Sequence, residues 1–98
     1  MEHNAADPDR IKKLKFRAWR RGFREADLIL GPFADHNLSA FTHDQLDQFE
    51  LLLEQPDQDL YAWIIEREPT PADFDTPVMK MIQTFRFDSR ATRADIGG

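Results

Sequence analysis

Residues 42–64, THDQLDQFELLLEQPDQDLYAWI, carry the clearest structural pattern in the chain. Thr42 and Gln45 have the spacing of a capping box, in which each side chain binds the other residue's backbone N–H at a helix start. The apolar residues that follow recur at helical spacing: Leu46, Phe49, Leu52 and Leu53. The pattern therefore predicts an amphipathic helix that ends before Pro56.

A second helical pattern begins directly after Pro56. Asp57 is its predicted N-cap, because a short polar side chain can accept a backbone hydrogen bond there. Leu60, Trp63 and Ile64 form its apolar face, so Trp63 is predicted to lie in the core. The alternative is that Trp63 is a half-exposed interface anchor. This helix should end before Glu68 and Pro69.

Two helices are predicted upstream of this pair. The first covers residues 9–19, with Asp9 as its N-cap. The second starts near Gly22, which would be the N-cap and place Glu25 at the third position, and Pro32 should kink it or shorten its first part. Its predicted apolar stripe, which Leu28 and Ile29 widen, consists of Phe23, Ala26, Leu30, Phe33 and Ala34.

A fifth helix is predicted to begin at Thr76 and Pro77, a hydroxyl N-cap followed by proline at the first helical position. No useful strand-like alternation occurs in the sequence. The predicted fold class is all-α, a single-domain bundle of about five short helices. We place a flexible lead-in at residues 1–8, the helical domain at 9–87 and a flexible tail at 88–98.

Charge is distributed unevenly along the chain, although the net charge is −5. The segment from Arg10 to Arg24 has eight basic residues and no acid, whereas the segment from Asp35 to Asp75 has eleven acids and only Arg67 as a base. Such a dipolar molecule favours association with another charged surface. The basic helix alone would also suit nucleic acid, but the acidic remainder would repel the phosphates.

Catalytic and metal-binding patterns are missing from the sequence. The chain has no cysteine, and its three histidines, His3, His36 and His43, are not paired at ligand spacing. Four glycines are too few for a phosphate-binding loop. No apolar run approaches the ~20 residues of a membrane span. We therefore expect no catalytic residues, no metal site and no membrane insertion.

The stretch RRGFREAD, residues 20–27, has two interpretations. It can be a turn between helices, with an Arg21–Glu25 ion pair of ~0.3–0.5 kcal/mol. Alternatively, Gly22 lacks a side chain so that a partner backbone or cofactor can approach closely. The arginines beside it and Glu25 would then form charge-assisted hydrogen bonds with that partner.

Two blocks of sequence resemble a known family. Residues 20–34, RRGFREADLILGPFA, are similar to its Arg-Gly-x-x-Glu signature, and residues 52–64, LLEQPDQDLYAWI, are similar to its second block. The family is that of the SdhE-like succinate dehydrogenase assembly factors, also called flavinators. The resemblance covers roughly residues 10–86.

This resemblance implies a five-helix protein that binds the flavoprotein subunit of succinate dehydrogenase, or of fumarate reductase in bacteria. It would promote covalent attachment of FAD to that client without supplying catalytic groups or holding a cofactor of its own. The chain is accordingly expected to be a bacterial, cytoplasmic monomer that binds no nucleic acid. A generic helical protein-binding or nucleic-acid-binding module is the alternative. The implied partner-binding residues are Arg20, Arg21, Gly22, Arg24, Glu25 and Asp27.

Overall fold

The protein folds into five α-helices in a computed structural model that describes the backbone of residues 7–97 and the side chains of residues 7–88. The helices are α1 (Pro8–Trp19), α2 (Arg24–Asn37), α3 (His43–Leu53), α4 (Asp57–Ile64) and α5 (Pro77–Gly97). Single 3₁₀ turns follow α2 and precede α5, at Leu38–Ala40 and Ala72–Phe74. No strand occurs in residues 7–97, which confirms the predicted all-α class.

A cluster of aromatic rings from α2, α3 and α5 occupies the centre of the core. Phe33 of α2 is buried and stacks on Phe49 of α3, with ring centroids 5.8 Å apart. Phe85 of α5 meets the edge of Phe33 at 5.6 Å, and Phe41 meets it at 6.1 Å. Phe33 thus connects α2, α3 and α5. Buried aromatic side chains contribute much of the packing energy of a core, so this cluster stabilises the arrangement of the three helices.

The predicted starts of α3 and α5 are confirmed. Thr42 Oγ1 accepts a hydrogen bond from the Gln45 N–H at 3.2 Å, and Gln45 Oε1 accepts one from the Thr42 N–H at 2.9 Å. Thr76 Oγ1 accepts from the Met79 N–H at 3.2 Å, immediately before Pro77. Both starts depend on residues at most three positions apart, which is why the sequence predicts them.

The predicted starts of α1 and α2 are wrong by one position or more. Asp7, not Asp9, caps α1 through a hydrogen bond from the Asp9 N–H, because Pro8 suits the first helical position. Phe23, not Gly22, precedes the first residue of α2, so Glu25 is the second helical residue. Gly22 instead has φ +90° and belongs to the turn between the two helices.

Two further expectations about α2 need correction. Leu28 was expected to widen the buried stripe, but half of its surface is exposed. Ala26, Leu30, Phe33 and Ala34 are buried as predicted, whereas Ile29 and Phe23, which precedes the helix, are partly buried. Pro32 lies inside α2, which continues to Asn37, so the predicted shortening is wrong and the predicted kink stays a prediction.

The ends of the chain differ in part from the predicted boundaries. Residues 1–6 of the predicted lead-in lie outside the described residues, and Pro8 already belongs to α1. Helix α5 is described to Gly97, beyond the predicted end of the domain at residue 87. The division into lead-in, domain and tail otherwise stays a prediction. Within the described residues, every helix is too short or too polar to cross a membrane.

Candidate functional site

Arg21 forms a clamp between the α1–α2 turn and the junction of α3 with α4. Its Nε donates to Asp57 Oδ1 at 2.7 Å, and its two terminal nitrogens donate to the carbonyl oxygens of Leu53 and Gln55, each at 2.6 Å. Only 7% of the side chain is exposed. The planar guanidinium suits this task because its donors are held in one rigid fork. It also satisfies carbonyl groups that the end of α3 leaves without a helical partner.

Two further contacts hold the α1–α2 turn against α2 and α4. The Arg21 backbone N–H donates to Asp27 Oδ1 at 3.0 Å, which ties the turn to the first part of α2. The Phe23 ring packs edge-on against Tyr61 of α4, with centroids 5.1 Å apart. Arg21, Phe23 and Asp27 therefore fix the position of the turn from the protein side.

Gly22 is left at the exposed tip of this turn. Its φ of +90° is one that residues with a side chain rarely adopt, and a Cβ placed on it would meet no atom within 4 Å. Arg20, Arg24 and Glu25 beside it are exposed as well. Both features considered from the sequence are therefore present: Gly22 forms a positive-φ turn, and it faces open space.

The six residues singled out in the sequence thus fall into two groups. Arg20, Gly22, Arg24 and Glu25 face outward, whereas Arg21 and Asp27 make intramolecular hydrogen bonds. The suggested Arg21–Glu25 ion pair is wrong, because Arg21 binds Asp57. Asp57 is likewise not the cap of α4 but its first residue, with its carboxylate on Arg21.

Part of the basic first segment is paired with the acidic α3. Arg10 donates to Asp47 at 2.6 Å and to Glu50 at 3.0 Å, and Arg17 lies 3.6 Å from Glu50. The hydrogen bond that Arg10 donates to Asp47, with a smaller contribution from Glu50, raises the pKa of Arg10. The charge asymmetry of the sequence is therefore partly neutralised inside the fold, which leaves the other basic residues of α1 facing outward.

Trp19 and Gly31 form a close contact between α1 and α2 that sequence reasoning missed. The indole lies on the backbone of Gly31, where a Cβ would be 2.6 Å from the ring atom Cε3. The indole N–H donates to Asp35 Oδ2 at 3.2 Å. An isolated glycine inside a helical pattern usually has such a packing reason, and that signal could have identified Gly31.

Gly31→Ala is expected to lower the free energy of unfolding by about 1–2 kcal/mol, because the methyl group displaces the Trp19 ring. In a Trp19→Ala background the same change should raise stability by up to about 1 kcal/mol, since alanine has the higher helix propensity. Chemical denaturation of the four proteins in this double-mutant cycle measures both effects. An equal loss in both backgrounds would show that the Trp19 contact is not the cause.

Metal-ligand clusters and unpartnered buried polar atoms are both absent among the described side chains. Among residues 7–88, no three His, Asp or Glu side chains are grouped so that they could hold a metal ion. Every buried side-chain nitrogen or oxygen in that range has a hydrogen-bond partner. At the Gly22 turn, the exposed charged groups of Arg20, Arg24 and Glu25 are available to bind another surface.

The chain is similar to several known proteins. Residues 12–86 match the family model described as "Flavinator of succinate dehydrogenase". The chain is 43% identical over 72 residues to succinate dehydrogenase assembly factor 2, mitochondrial, of Dictyostelium discoideum, which covers 74% of the chain and 51% of that relative. It is 37% identical over 84 residues to the FAD assembly factor SdhE of Acetobacter pasteurianus, which covers 86% of the chain and 74% of that relative.

A third relative, succinate dehydrogenase assembly factor 2-A, mitochondrial, of Drosophila ananassae, is 36% identical over 76 residues, 76% of the chain and 49% of the relative. The chain thus spans about half the length of these two mitochondrial relatives. The region matched by the family model includes the Gly22 turn and the Arg21 clamp.

Proposed function

The chain belongs to the family of succinate dehydrogenase flavinators, and we propose that it binds the flavoprotein subunit of that enzyme and promotes covalent attachment of FAD. The single observation that best supports this role is the exposed Gly22 turn. A partner backbone can approach Gly22 closely, because open space lies where a side chain would be. The outward-facing Arg20, Arg24 and Glu25 can then donate and accept charge-assisted hydrogen bonds.

We divide the six candidate residues between two roles within this proposal. Arg20, Gly22, Arg24 and Glu25 contact the client, and Arg21 and Asp27 hold the turn in the conformation that presents them. The chain supplies no catalytic group, and the FAD belongs to the client. Binding would act by stabilising a client geometry in which the flavin attaches to its own protein.

Gly22→Arg is expected to reduce covalent flavin in the co-expressed flavoprotein subunit to the level found without this protein. The new side chain would fill the gap that the partner needs, and it would strain the turn by about 1–2 kcal/mol because of the positive φ. The flavin fluorescence of the denatured subunit on a gel measures the product.

Ser39→Arg is the matched control, because it adds the same charge at an exposed position in the 3₁₀ turn after α2. It should support flavinylation like the wild type. Circular dichroism at the assay temperature must show that Gly22→Arg is folded. A folded Gly22→Arg variant with wild-type covalent flavin would refute the proposed role of the turn.

Three finer expectations belong to the same proposal. The related fumarate reductase flavoprotein is a second client, the protein is a monomer, and it acts in the bacterial cytoplasm before the client reaches the membrane. Co-purification with each flavoprotein, sedimentation velocity and cell fractionation test them in turn. Titration with free FAD is expected to show no binding.

A further inference from the structure

The outer surface of α1 carries a basic aromatic face, which we define as Lys12, Lys13, Phe16, Trp19 and Arg20. All five side chains are exposed. Lys12, Lys13, Trp19 and Arg20 lie three or four positions from Phe16, so they surround it on one side of the helix. The face ends at the Gly22 turn.

The aromatic side chains of this face are held in place although they are exposed. The Arg20 guanidinium lies 4.6 Å from the centre of the Phe16 ring. Trp19 rests on Gly31 and donates to Asp35. Ordered aromatic side chains bind a partner at a low cost in conformational entropy, and Trp and Arg are common at interface hot spots.

Leu28 and Arg24 continue this face on the other side of the turn. They lie four residues apart and therefore share one side of α2. Leu28 is also one turn before Gly31, which carries the Trp19 indole. Phe16, Trp19 and Leu28 are 60%, 40% and 50% exposed, and they are three of the five large exposed hydrophobic side chains among residues 7–88. Such clustering of apolar surface marks an interaction site.

The charges around these apolar side chains indicate what kind of surface fits them. Arg10, Arg17 and Arg21 are paired with acids of α3 and α4. Within residues 7–88 no acidic side chain forms an ion pair with the exposed basic residues of this surface: Lys12, Lys13, Arg20 and Arg24. A complementary partner would therefore present acidic residues around an apolar centre.

A shallow cleft of about 280 Å³ lies beside Phe16 and gives this surface a concave part. Its walls include Phe16, Arg20 and the apolar side chain of Leu53. A protruding apolar side chain of a partner would find both an aromatic wall and a guanidinium there. The cleft connects the basic aromatic face with the Arg21 clamp, because Arg21 and Asp57 also line it.

We infer that the basic aromatic face, together with Arg24 and Leu28, extends the partner interface beyond the Gly22 turn and binds a protein surface with an apolar centre and an acidic rim. This inference rests on the proposed function, since that surface is assigned to the client flavoprotein. The turn provides the close backbone approach, and the face provides the buried apolar area and the charge complementarity.

Phe16→Ser and Leu28→Ser are expected to weaken binding of the full chain to the purified flavoprotein subunit by about tenfold or more each. Phe87→Ser and Leu51→Ser are matched controls, because they remove exposed side chains of the same types from α5 and α3. Both controls should bind within about twofold of the wild type. Isothermal titration calorimetry at fixed salt concentration measures the dissociation constants of the wild type and the four variants.

The acidic rim is tested by charge reversal. Lys12→Glu with Lys13→Glu should weaken binding and flatten its dependence on salt concentration, whereas Arg67→Glu in the exposed bend after α4 should change neither. Titration with single-stranded RNA provides the contrasting ligand. Tight RNA binding that the Phe16 and lysine changes abolish, with client binding unchanged, would overturn the inference.

Two failures can be told apart. A wild-type chain that does not bind the flavoprotein refutes the proposed function and, with it, the assigned client. If the wild-type chain binds, and Gly22→Arg weakens that binding but Phe16→Ser and Leu28→Ser do not, only the extended interface is refuted.

Discussion

Replacing Arg21 by alanine is expected to lower the free energy of unfolding by about 3 kcal/mol. The change removes three hydrogen bonds from one charged group and leaves the carbonyls of Leu53 and Gln55 without that donor. Asp57 is more than one-third exposed, so water can partly replace its lost partner, and the loss stays below that of a fully buried ion pair. The melting temperature should fall by more than about 10 °C.

Arg24→Ala is the control for this prediction, since Arg24 is an exposed arginine three residues away on the same motif. Its removal should change stability by less than about 0.5 kcal/mol. The stability loss of Arg21→Lys should lie between those of Arg21→Ala and Arg24→Ala. The lysine ammonium keeps the charge but lacks the rigid fork of donors that binds three separate oxygens. A similar stability for Arg21→Ala and Arg24→Ala would contradict the clamp.

The Arg21 variants also separate the two roles proposed for the signature. If Arg21 positions the turn, folded Arg21→Lys should bind the client more weakly than the wild type, and its affinity should improve at low temperature as the turn becomes more ordered. If Arg21 contacts the client directly, the ratio of the Arg21→Lys affinity to the wild-type affinity should instead be the same at both temperatures. Binding measured at two temperatures below the melting transition distinguishes these outcomes.

Replacing Phe33 by alanine is expected to cost about 3–5 kcal/mol, the largest stability effect of the changes considered. Phe33 is buried and contacts three other aromatic rings, so the substitution leaves a cavity beside Phe49 of α3, Phe85 of α5 and Phe41. Because small domains have only about 5–15 kcal/mol of stability, much of the protein should unfold at 37 °C.

Phe87→Ala is the comparison, because Phe87 lies on α5 and is 68% exposed. Its truncation should shift the urea midpoint very little. Urea unfolding followed by circular dichroism at 222 nm gives both values. A loss below about 1.5 kcal/mol for Phe33→Ala would indicate that the aromatic cluster closes around the gap.

The sequence was informative wherever a feature depends on neighbouring residues. The capping box of Thr42 and Gln45 and the Thr76–Pro77 start are confirmed, as are the buried faces of α2, α3 and α4. The all-α class follows from the same periodicity. The break between two helices at residues 20–23 was also predictable, because glycine and flanking charges interrupt an apolar pattern.

The sequence was misleading where two local solutions compete or where a partner is distant. Asp7 and Asp9 are both suitable caps for α1, and only the position of Pro8 in the helix decides between them. Glu25 was the nearest acid at helical spacing from Arg21, but Asp57 is the acid that Arg21 binds. Leu28 fits the apolar pattern of α2 but lies on its exposed side.

The sequence by itself determined where the helices of this protein form, because caps and amphipathic periodicity act over three or four residues. Only the tertiary structure decided that Arg21 faces inward while Gly22 faces outward. That outcome requires the end of α3 and the start of α4 to lie beside the α1–α2 turn. There Arg21 binds Asp57, an acid 36 residues away in the sequence. Burial of the aromatic core sets this arrangement of helices, and no local pattern around the turn encodes it.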